Sequence, residues 1–203
     1  MIKIIYSKTA EEAGIKAAGV IAEVVKNKPD AVLGLATGSS PLGMYAELVR
    51  MNKAGEISFK DVKSVNLDEY VGLTKDHDQS YSYFMHHNLF DHIDIKEENT
   101  NLPNGVAEDP KAECQRYDAV IESMGGVDVQ VLGIGNNGHI GFNEPSDVFS
   151  YGTGLVDLTD STIDANSRFF ATRDLVPTQA LSMGVGQIMA VKKILLIALG
   201  RGK

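Results

Sequence analysis

A glycine-rich loop carries the side chains best suited to proton transfer. His139 and Glu144 lie in residues 133–145, directly after a predicted strand whose apolar positions are Val127, Val129, Val131 and Leu132. An imidazole and a carboxylate in one short loop can hold each other in place for proton transfer near neutral pH. The alternative is a structural histidine whose nitrogens satisfy the backbone of the loop. The surrounding glycines favour an enzyme, because they let the backbone approach a ligand closely.

A second candidate site is the turn that follows a predicted buried strand at residues 31–36. It consists of Thr37, Gly38, Ser39 and Ser40. Hydroxyls and free N–H groups at the start of a helix can bind phosphate, although one of the serines can equally serve only as the helix cap.

Charged residues follow other predicted strands. Asp68 lies beside Glu69 after the strand at residues 63–67, where a carboxylate is either a general base or a solvated charge. Arg168 precedes two phenylalanines, and Lys203 follows the last apolar strand. Either cation is an ordinary surface charge or a phosphate ligand.

Predicted strands alternate with predicted helices along the chain. Strands are expected at residues 2–6, 31–36, 63–67, 127–133, 155–158, 180–185 and 193–199, and helices at residues 9–27, 41–55, 79–90 and from 109 onward. The alternation predicts a mostly parallel sheet covered on both faces, in a single domain over residues 1–203. Ligands of such sheets bind at the carboxyl ends of the strands, so the candidate residues should converge.

Composition excludes several classes of protein. A formal net charge of −8 and the lack of a basic stripe argue against nucleic-acid binding. Cys114 is the single cysteine, so no internal disulfide can form, and the histidines lack metal-ligand spacing, so we expect no metal. No apolar run is long enough for a signal peptide or a membrane span, which indicates a cytoplasmic protein without a membrane partner.

Taken together, the motifs resemble the glucosamine-6-phosphate deaminase family of sugar-phosphate isomerase-deaminases nearly end to end. The matching strings are LATGSSP (35–41), NLDEYVGL (66–73), SYSYFMHHNLFDHI (80–93), GIGNNGHIGFNEP (133–145), ANSRFF (165–170) and LGRGK (199–203). The resemblance implies a Rossmann-like three-layer α/β/α sandwich. It also implies conversion of glucosamine 6-phosphate and water to fructose 6-phosphate and ammonia, without an organic cofactor or a metal.

The resemblance also implies roles for individual residues. His139 would assist opening of the pyranose ring, Asp68 would move a proton between C2 and C1, and Glu144 would support the imidazole. The positions matching phosphate or substrate contacts are Thr37, Gly38, Ser39, Ser40, Arg168 and Lys203, and residues 158–178 match a lid over the site.

The chain departs from the family pattern in three places. Asn137 stands at a catalytic position where several members have Asp, so we expect activity with a shifted pH profile. Residues 154–156 lack the Arg-x-Lys pattern of allosteric members, which favours simple saturation and a monomer or small homo-oligomer. The chain stops at Lys203 where the family continues, so the fold is expected to be truncated at its C-terminus.

Two other functions remain open. A 6-phosphogluconolactonase-like hydrolase would also bind a sugar phosphate at the strand ends, and a non-catalytic sugar-phosphate sensor would bind without turnover. The DEY and HIGFNEP strings favour the deaminase over the lactonase, whereas tight binding without turnover would distinguish the sensor from an enzyme.

Overall fold

The structure is a computed structural model that describes residues 2–200 and 203. The helices are α1 (Ala10–Asn27), α2 (Leu42–Lys53), α3 (Tyr81–Asn88), α4 (Pro110–Ser123), α5 (Asp160–Asn166) and α6 (Val185–Met189). The strands are β1 (Val32–Leu35), β2 (Lys63–Asn66), β3 (Asp68–Tyr70), β4 (Thr100–Asn101), β5 (Val129–Leu132), β6 (Gly154–Asp157), β7 (Gln179–Ser182) and β8 (Ile194–Leu196).

Five strands form a parallel sheet in the order β4-β2-β1-β5-β8. Helices flank this sheet, and its strands supply much of the buried core, so the predicted α/β class with a mostly parallel sheet is confirmed. The chain runs from β1 outward to β2 and β4 and then returns to the other side of β1 to form β5. The strand order therefore reverses between β1 and β5, and the carboxyl ends of these two strands border a crevice suited to a ligand.

A second, antiparallel sheet of order β3-β7-β6 is absent from the sequence-based expectations. β3 begins only two residues after β2 ends, so the residues that follow the strand predicted at 63–67 form a strand of their own. Leu67 joins the two sheets, because its carbonyl accepts a hydrogen bond from Met183 N at 2.8 Å. This hydrogen bond fixes the direction in which the chain leaves the parallel sheet at Asp68.

Local sequence signals set the starts of the long helices. Thr9 caps α1 through a hydrogen bond from Glu12 N to Thr9 Oγ1 at 3.1 Å. Asp109 caps α4, which then begins with Pro110. Both starts agree with the sequence, because a side-chain acceptor before the first turn satisfies helical N–H groups that lack a partner.

The prediction of a strand at residues 2–6 is wrong. These residues form no strand, and Ile2 and Ile4 are 91% and 87% exposed. A short run rich in isoleucine does not make a strand without a hydrogen-bonding neighbour. The edge strand β8 pairs with β5 on one side, and within residues 2–200 no strand pairs with its other side.

Candidate active site

The two strand ends that border the crevice carry the predicted turn and the predicted loop. The turn at residues 37–40 follows β1, and the loop at residues 133–145 follows β5. They lie against each other, since a Cβ built on Gly133 would be 3.5 Å from Ser40 Oγ. The structure therefore brings these two sites together as predicted.

The turn is open to a ligand. Gly38 has φ +87°, and Gly38 and Ser39 are exposed. The buried Tyr45 hydroxyl holds the start of the turn by donating to Ala36 O at 2.6 Å. α2 begins after Pro41 without a side-chain cap, so neither serine is used for capping. The alternative reading of these serines as a helix cap is wrong.

Glycines shape the loop around His139. Gly135 N donates to His139 O at 2.8 Å, and Gly138 N donates to Gly135 O at 3.1 Å. A Cβ on Gly135 would collide with the imidazole, so the ring packs directly over the backbone of this glycine. The loop thus fixes the ring by close backbone approach, which requires glycine at this position.

Asn137 connects Glu144 to the histidine. Its Nδ2 donates to Glu144 Oε2 at 2.6 Å, and its Oδ1 accepts from His139 N at 3.2 Å. His139 Nδ1 lies 3.7 Å from the same Glu144 oxygen and has no hydrogen-bond partner within the described chain. The sequence placed these three residues together correctly, but the Asn137 amide contacts the backbone of His139 and not its ring.

Two threonines that sequence reasoning missed complete the surroundings of Glu144. Thr162 Oγ1 donates to Glu144 Oε1 at 2.7 Å, and Thr159 Oγ1 lies 3.3 Å from that oxygen. Burial raises the pKa of Glu144, but hydrogen bonds from Thr162 and Asn137 outweigh it, so the pKa lies below its ordinary value. The T-x-x-T spacing signals a helix cap at Thr159, yet nothing in it indicates contact with Glu144.

Asp68 lies beside the loop. It is only 6% exposed, and a Cβ built on Gly141 would be 3.4 Å from Asp68 Oδ2. Burial, together with the charge of Glu69, raises the pKa of Asp68 to about 8. A carboxyl group with a pKa near working pH can both accept and return a proton, which is what a shuttle between two carbons requires.

Glu69 points away from Asp68 toward the start of α3. Its oxygens accept hydrogen bonds from Tyr70 N, Tyr81 N and Ser82 N at 2.9, 3.0 and 3.0 Å. Burial raises the pKa of Glu69 to about 7 against the opposing effect of these three donors. The two adjacent carboxylates therefore have different roles, one facing the loop and one anchoring a helix.

An aromatic wall, defined as Tyr70, Tyr81, Phe142 and Phe170, joins β3, α3, the loop and the segment after α5. The Tyr81 and Phe142 rings stack with centroids 6.1 Å apart, and the Phe170 ring meets Tyr70 edge-on at the same distance. Sequence reasoning noted only Phe170, as part of a pair beside Arg168. The wall therefore packs aromatic rings from four segments beside the strand that begins at Asp68.

Arg168 and Lys203 are not brought to the crevice by any described contact. The Arg168 guanidinium lies 4.7 Å from the centroid of the Phe169 ring, and the residue is exposed. Lys203 is exposed. Arg201 and Gly202, which belong to the predicted phosphate-binding C-terminal motif, lie outside the described residues.

Among the residues that the structure describes, no helix is long and apolar enough to cross a membrane. No group of His, Cys, Asp or Glu side chains in residues 2–200 and 203 is arranged to hold a metal ion.

Comparison with known proteins gives concordant results. Residues 6–203 match the family model described as glucosamine-6-phosphate isomerases/6-phosphogluconolactonase. A curated glucosamine-6-phosphate deaminase from Clostridium perfringens (strain SM101 / Type A) is 56% identical over 202 residues, which cover 100% of this chain and 84% of the relative.

Of two similar solved structures, one is close in sequence and the other shares only the fold. A monomeric glucosamine-6-phosphate deaminase superposes with TM-score 0.93 and 47% identity over 96% of this chain and 81% of that one. A 6-phosphogluconolactonase from Trypanosoma brucei has TM-score 0.74 at 16% identity, over 100% of this chain and 84% of that one, and shows the fold alone. Since the family model spans nearly the whole chain and close relatives align along its full length, the chain belongs to the glucosamine-6-phosphate isomerase/6-phosphogluconolactonase family.

Proposed function

We propose that the chain converts glucosamine 6-phosphate and water to fructose 6-phosphate and ammonia. The observation that carries the proposal is the position of the buried Asp68 carboxyl beside the loop that holds His139. An aldose-to-ketose isomerisation needs one group to open the sugar ring and another to move a proton between neighbouring carbons. The names of the 56% and 47% identical relatives support the same substrate.

His139 and Asp68 are each assigned one step of the reaction, and Glu144 supports His139. His139 takes the proton of the C1 hydroxyl and returns one to the ring oxygen, which opens the ring. Asp68 removes the proton from C2 and delivers it to C1, while one proton passes from the C2 ammonium group to the C1 oxygen. The resulting C2 imine adds water and releases ammonia. Glu144, held by Asn137, keeps the imidazole oriented and stabilises its protonated form. The aromatic wall limits access of water to the enolamine intermediate.

Phosphate recognition is assigned to the turn. Thr37, Gly38, Ser39 and Ser40 offer hydroxyls and backbone N–H groups ahead of α2, whose N-terminal dipole favours an anion. Arg168 and Lys203 remain proposed phosphate ligands, and residues 158–178 a proposed lid. The lid assignment is supported by the contacts of Thr162 with Glu144 and of Phe170 with Tyr70.

A monomeric cytoplasmic enzyme with hyperbolic kinetics is also proposed. A deaminase described as monomeric is 47% identical, and Gly154, Leu155 and Val156 lack the effector-binding pattern named above. Light scattering at working concentration tests whether the chain is a monomer. Rate curves taken with and without N-acetylglucosamine 6-phosphate test whether the kinetics are hyperbolic. A sigmoidal curve that the acetylated sugar makes hyperbolic would contradict the proposal.

The direct test follows ammonia and fructose 6-phosphate release from glucosamine 6-phosphate by the purified chain. Equal amounts of both products support the deaminase. Hydrolysis of 6-phosphogluconolactone, with no ammonia released from glucosamine 6-phosphate, would instead favour the lactonase. Binding of the amino sugar with no turnover of either compound would favour a sensor.

A further inference from the structure

We propose that Thr162 is a positioning residue, which couples the lid segment to the catalytic histidine by orienting the Glu144 carboxylate. The proposal rests on the proposed deaminase function for its kinetic readout only. Thr162 belongs to α5, the first helix of the lid segment, whereas Glu144 belongs to the loop after β5.

The contact is short and partly buried, since the Glu144 side chain is 25% exposed. Thr162 Oγ1 lies 2.7 Å from Glu144 Oε1, a length typical of a hydroxyl donating to an ionised carboxylate. Thr162 is 8% exposed, so water has little access to replace its hydroxyl as a donor. The hydrogen bond therefore contributes more to the charge state of Glu144 than an exposed one would.

A chain of hydroxyl groups extends the contact into the helix start. Thr159 Oγ1 lies 3.1 Å from Thr162 Oγ1 and accepts from Thr162 N at 3.3 Å, so it both caps α5 and positions the Thr162 hydroxyl. Movement of α5 away from the loop would break the contact with Glu144. The orientation of Glu144 consequently depends on whether this helix is in place.

The two carboxylate oxygens of Glu144 contact different groups. Oε1 faces the lid threonines, while Oε2 accepts from Asn137 and lies 3.7 Å from His139 Nδ1. Fixing Oε1 from the lid side sets the direction of Oε2 toward the imidazole. Without Thr162, the carboxylate keeps one strong donor and can rotate about its last side-chain bond.

The charged groups around Glu144 are few. In the described chain, His139 is the ionisable side chain within ion-pair distance of it. Asp160 and Asp164 on α5 pair with Arg173 at 2.7 and 2.6 Å. A change of titration after substitution of Thr162 can therefore be traced to the lost hydroxyl.

The test compares Thr162→Val, which removes the hydroxyl and keeps the shape, with Thr162→Ser, which keeps the hydroxyl. Thr74→Val, at an exposed threonine in the loop after β3, is the matched control. Thr162→Ala replaces Thr162→Val if circular dichroism shows that Thr162→Val does not fold. The readouts are kcat and KM across pH, and titration of the Glu144 carboxyl by carbon NMR without substrate.

We expect Thr162→Val to raise the pKa of Glu144 and to move the acid limb of kcat to higher pH. Its kcat should fall about 10-fold with KM nearly unchanged, as loss of one charge-assisted hydrogen bond allows. Thr162→Ser and Thr74→Val should resemble the unmodified protein in both titration and rate.

An unchanged Glu144 titration in folded Thr162→Val, or equal defects in Thr162→Ser and Thr162→Val, would overturn the proposal. The NMR titration needs no turnover. Absence of deaminase activity in the unmodified chain would thus contradict the proposed function while leaving the positioning role open to its own result.

Discussion

Asp68 pairs with Ser182 across the antiparallel strands β3 and β7, and Ser182 in turn holds the loop at residues 133–145. Ser182 Oγ accepts a hydrogen bond from Phe142 N at 3.1 Å. One buried hydroxyl therefore lies between the strand that carries the proposed base and the loop that carries His139. The second sheet thus sets the relative positions of the two proposed catalytic groups.

Ser182→Ala should weaken both stability and catalysis. It leaves Phe142 N without its acceptor in a site where Ser182 is 2% exposed, at a cost of about 1–3 kcal/mol of unfolding free energy. Urea denaturation and kcat measure the two effects. Ser123→Ala, which removes an exposed hydroxyl from the end of α4, serves as the control. Equal stability and kcat in both variants would refute the linking role of Ser182.

Asp68→Asn should stabilise the protein at high pH. The pKa of Asp68 rises from 3.8 to about 8 on folding, so the folded state binds this proton more tightly than the unfolded state. The free energy of unfolding therefore falls as pH increases between these two values. The neutral amide avoids that loss, so the gain in Tm should be largest near pH 8 and vanish near pH 4.

Thermal melts across pH check this, and each kcal/mol gained corresponds to about 2–4 °C for a domain of this size. Asp76→Asn, an exposed carboxylate in the loop after β3, is the control and should show no such trend. A Tm difference for Asp68→Asn that does not grow with pH would contradict the raised pKa.

Asp128→Asn should destabilise the protein at neutral pH but not near pH 2. Asp128 accepts from Lys28, Lys192 and Val32 N at the amino end of the parallel sheet, each within 2.8 Å. These donors overcome burial and lower the pKa of Asp128 from 3.8 to about 2. The stabilisation is present above the unfolded pKa and is lost as pH falls through the folded one, and it amounts to roughly 2 kcal/mol.

Urea denaturation at pH 7 and pH 2.5 measures this difference. The exposed pair of Asp61 with Lys96, 3.2 Å apart, offers Asp61→Asn as a control that should change stability little at either pH. If Asp128→Asn lowers the free energy of unfolding by the same amount at both pH values, packing and not ionisation accounts for the loss.

Asn137→Asp should shift the acid limb of the kcat profile to higher pH. The substitution replaces a donor 2.6 Å from Glu144 Oε2 with a second carboxylate, and like charges raise the pKa of Glu144. The neighbouring Asn136→Asp adds the same charge to the exposed part of the loop and is the matched control. Superimposable profiles for Asn137→Asp and the unmodified chain would show that this amide does not tune Glu144.

Local signals account for what the sequence predicted well. The Thr9 and Asp109 caps, the apolar strands and the glycine-rich loop each depend on residues close together in the chain. Expectations failed where a distant partner decides the outcome. Residues 2–6 have strand propensity but no described neighbour to pair with, and β3 forms because β7 pairs with it.

The same distinction holds for the candidate site. His139, Glu144 and Asn137 share one loop, so their proximity could be predicted from spacing alone. Thr162 reaches Glu144 from another element, and its polar helix resembles any surface helix in sequence. Contacts of this kind follow from the folded geometry, which spacing does not specify.

The most direct test of the account is the turnover of glucosamine 6-phosphate by Asp68→Asn beside the unmodified chain and Asp76→Asn. We predict that Asp68→Asn stays folded and binds the substrate with an affinity close to that of the unmodified chain. Its kcat should fall by at least the ~10²- to 10⁴-fold typical of a lost general base. Near-normal release of ammonia and fructose 6-phosphate by Asp68→Asn would contradict the role of Asp68 as the proton carrier between C2 and C1.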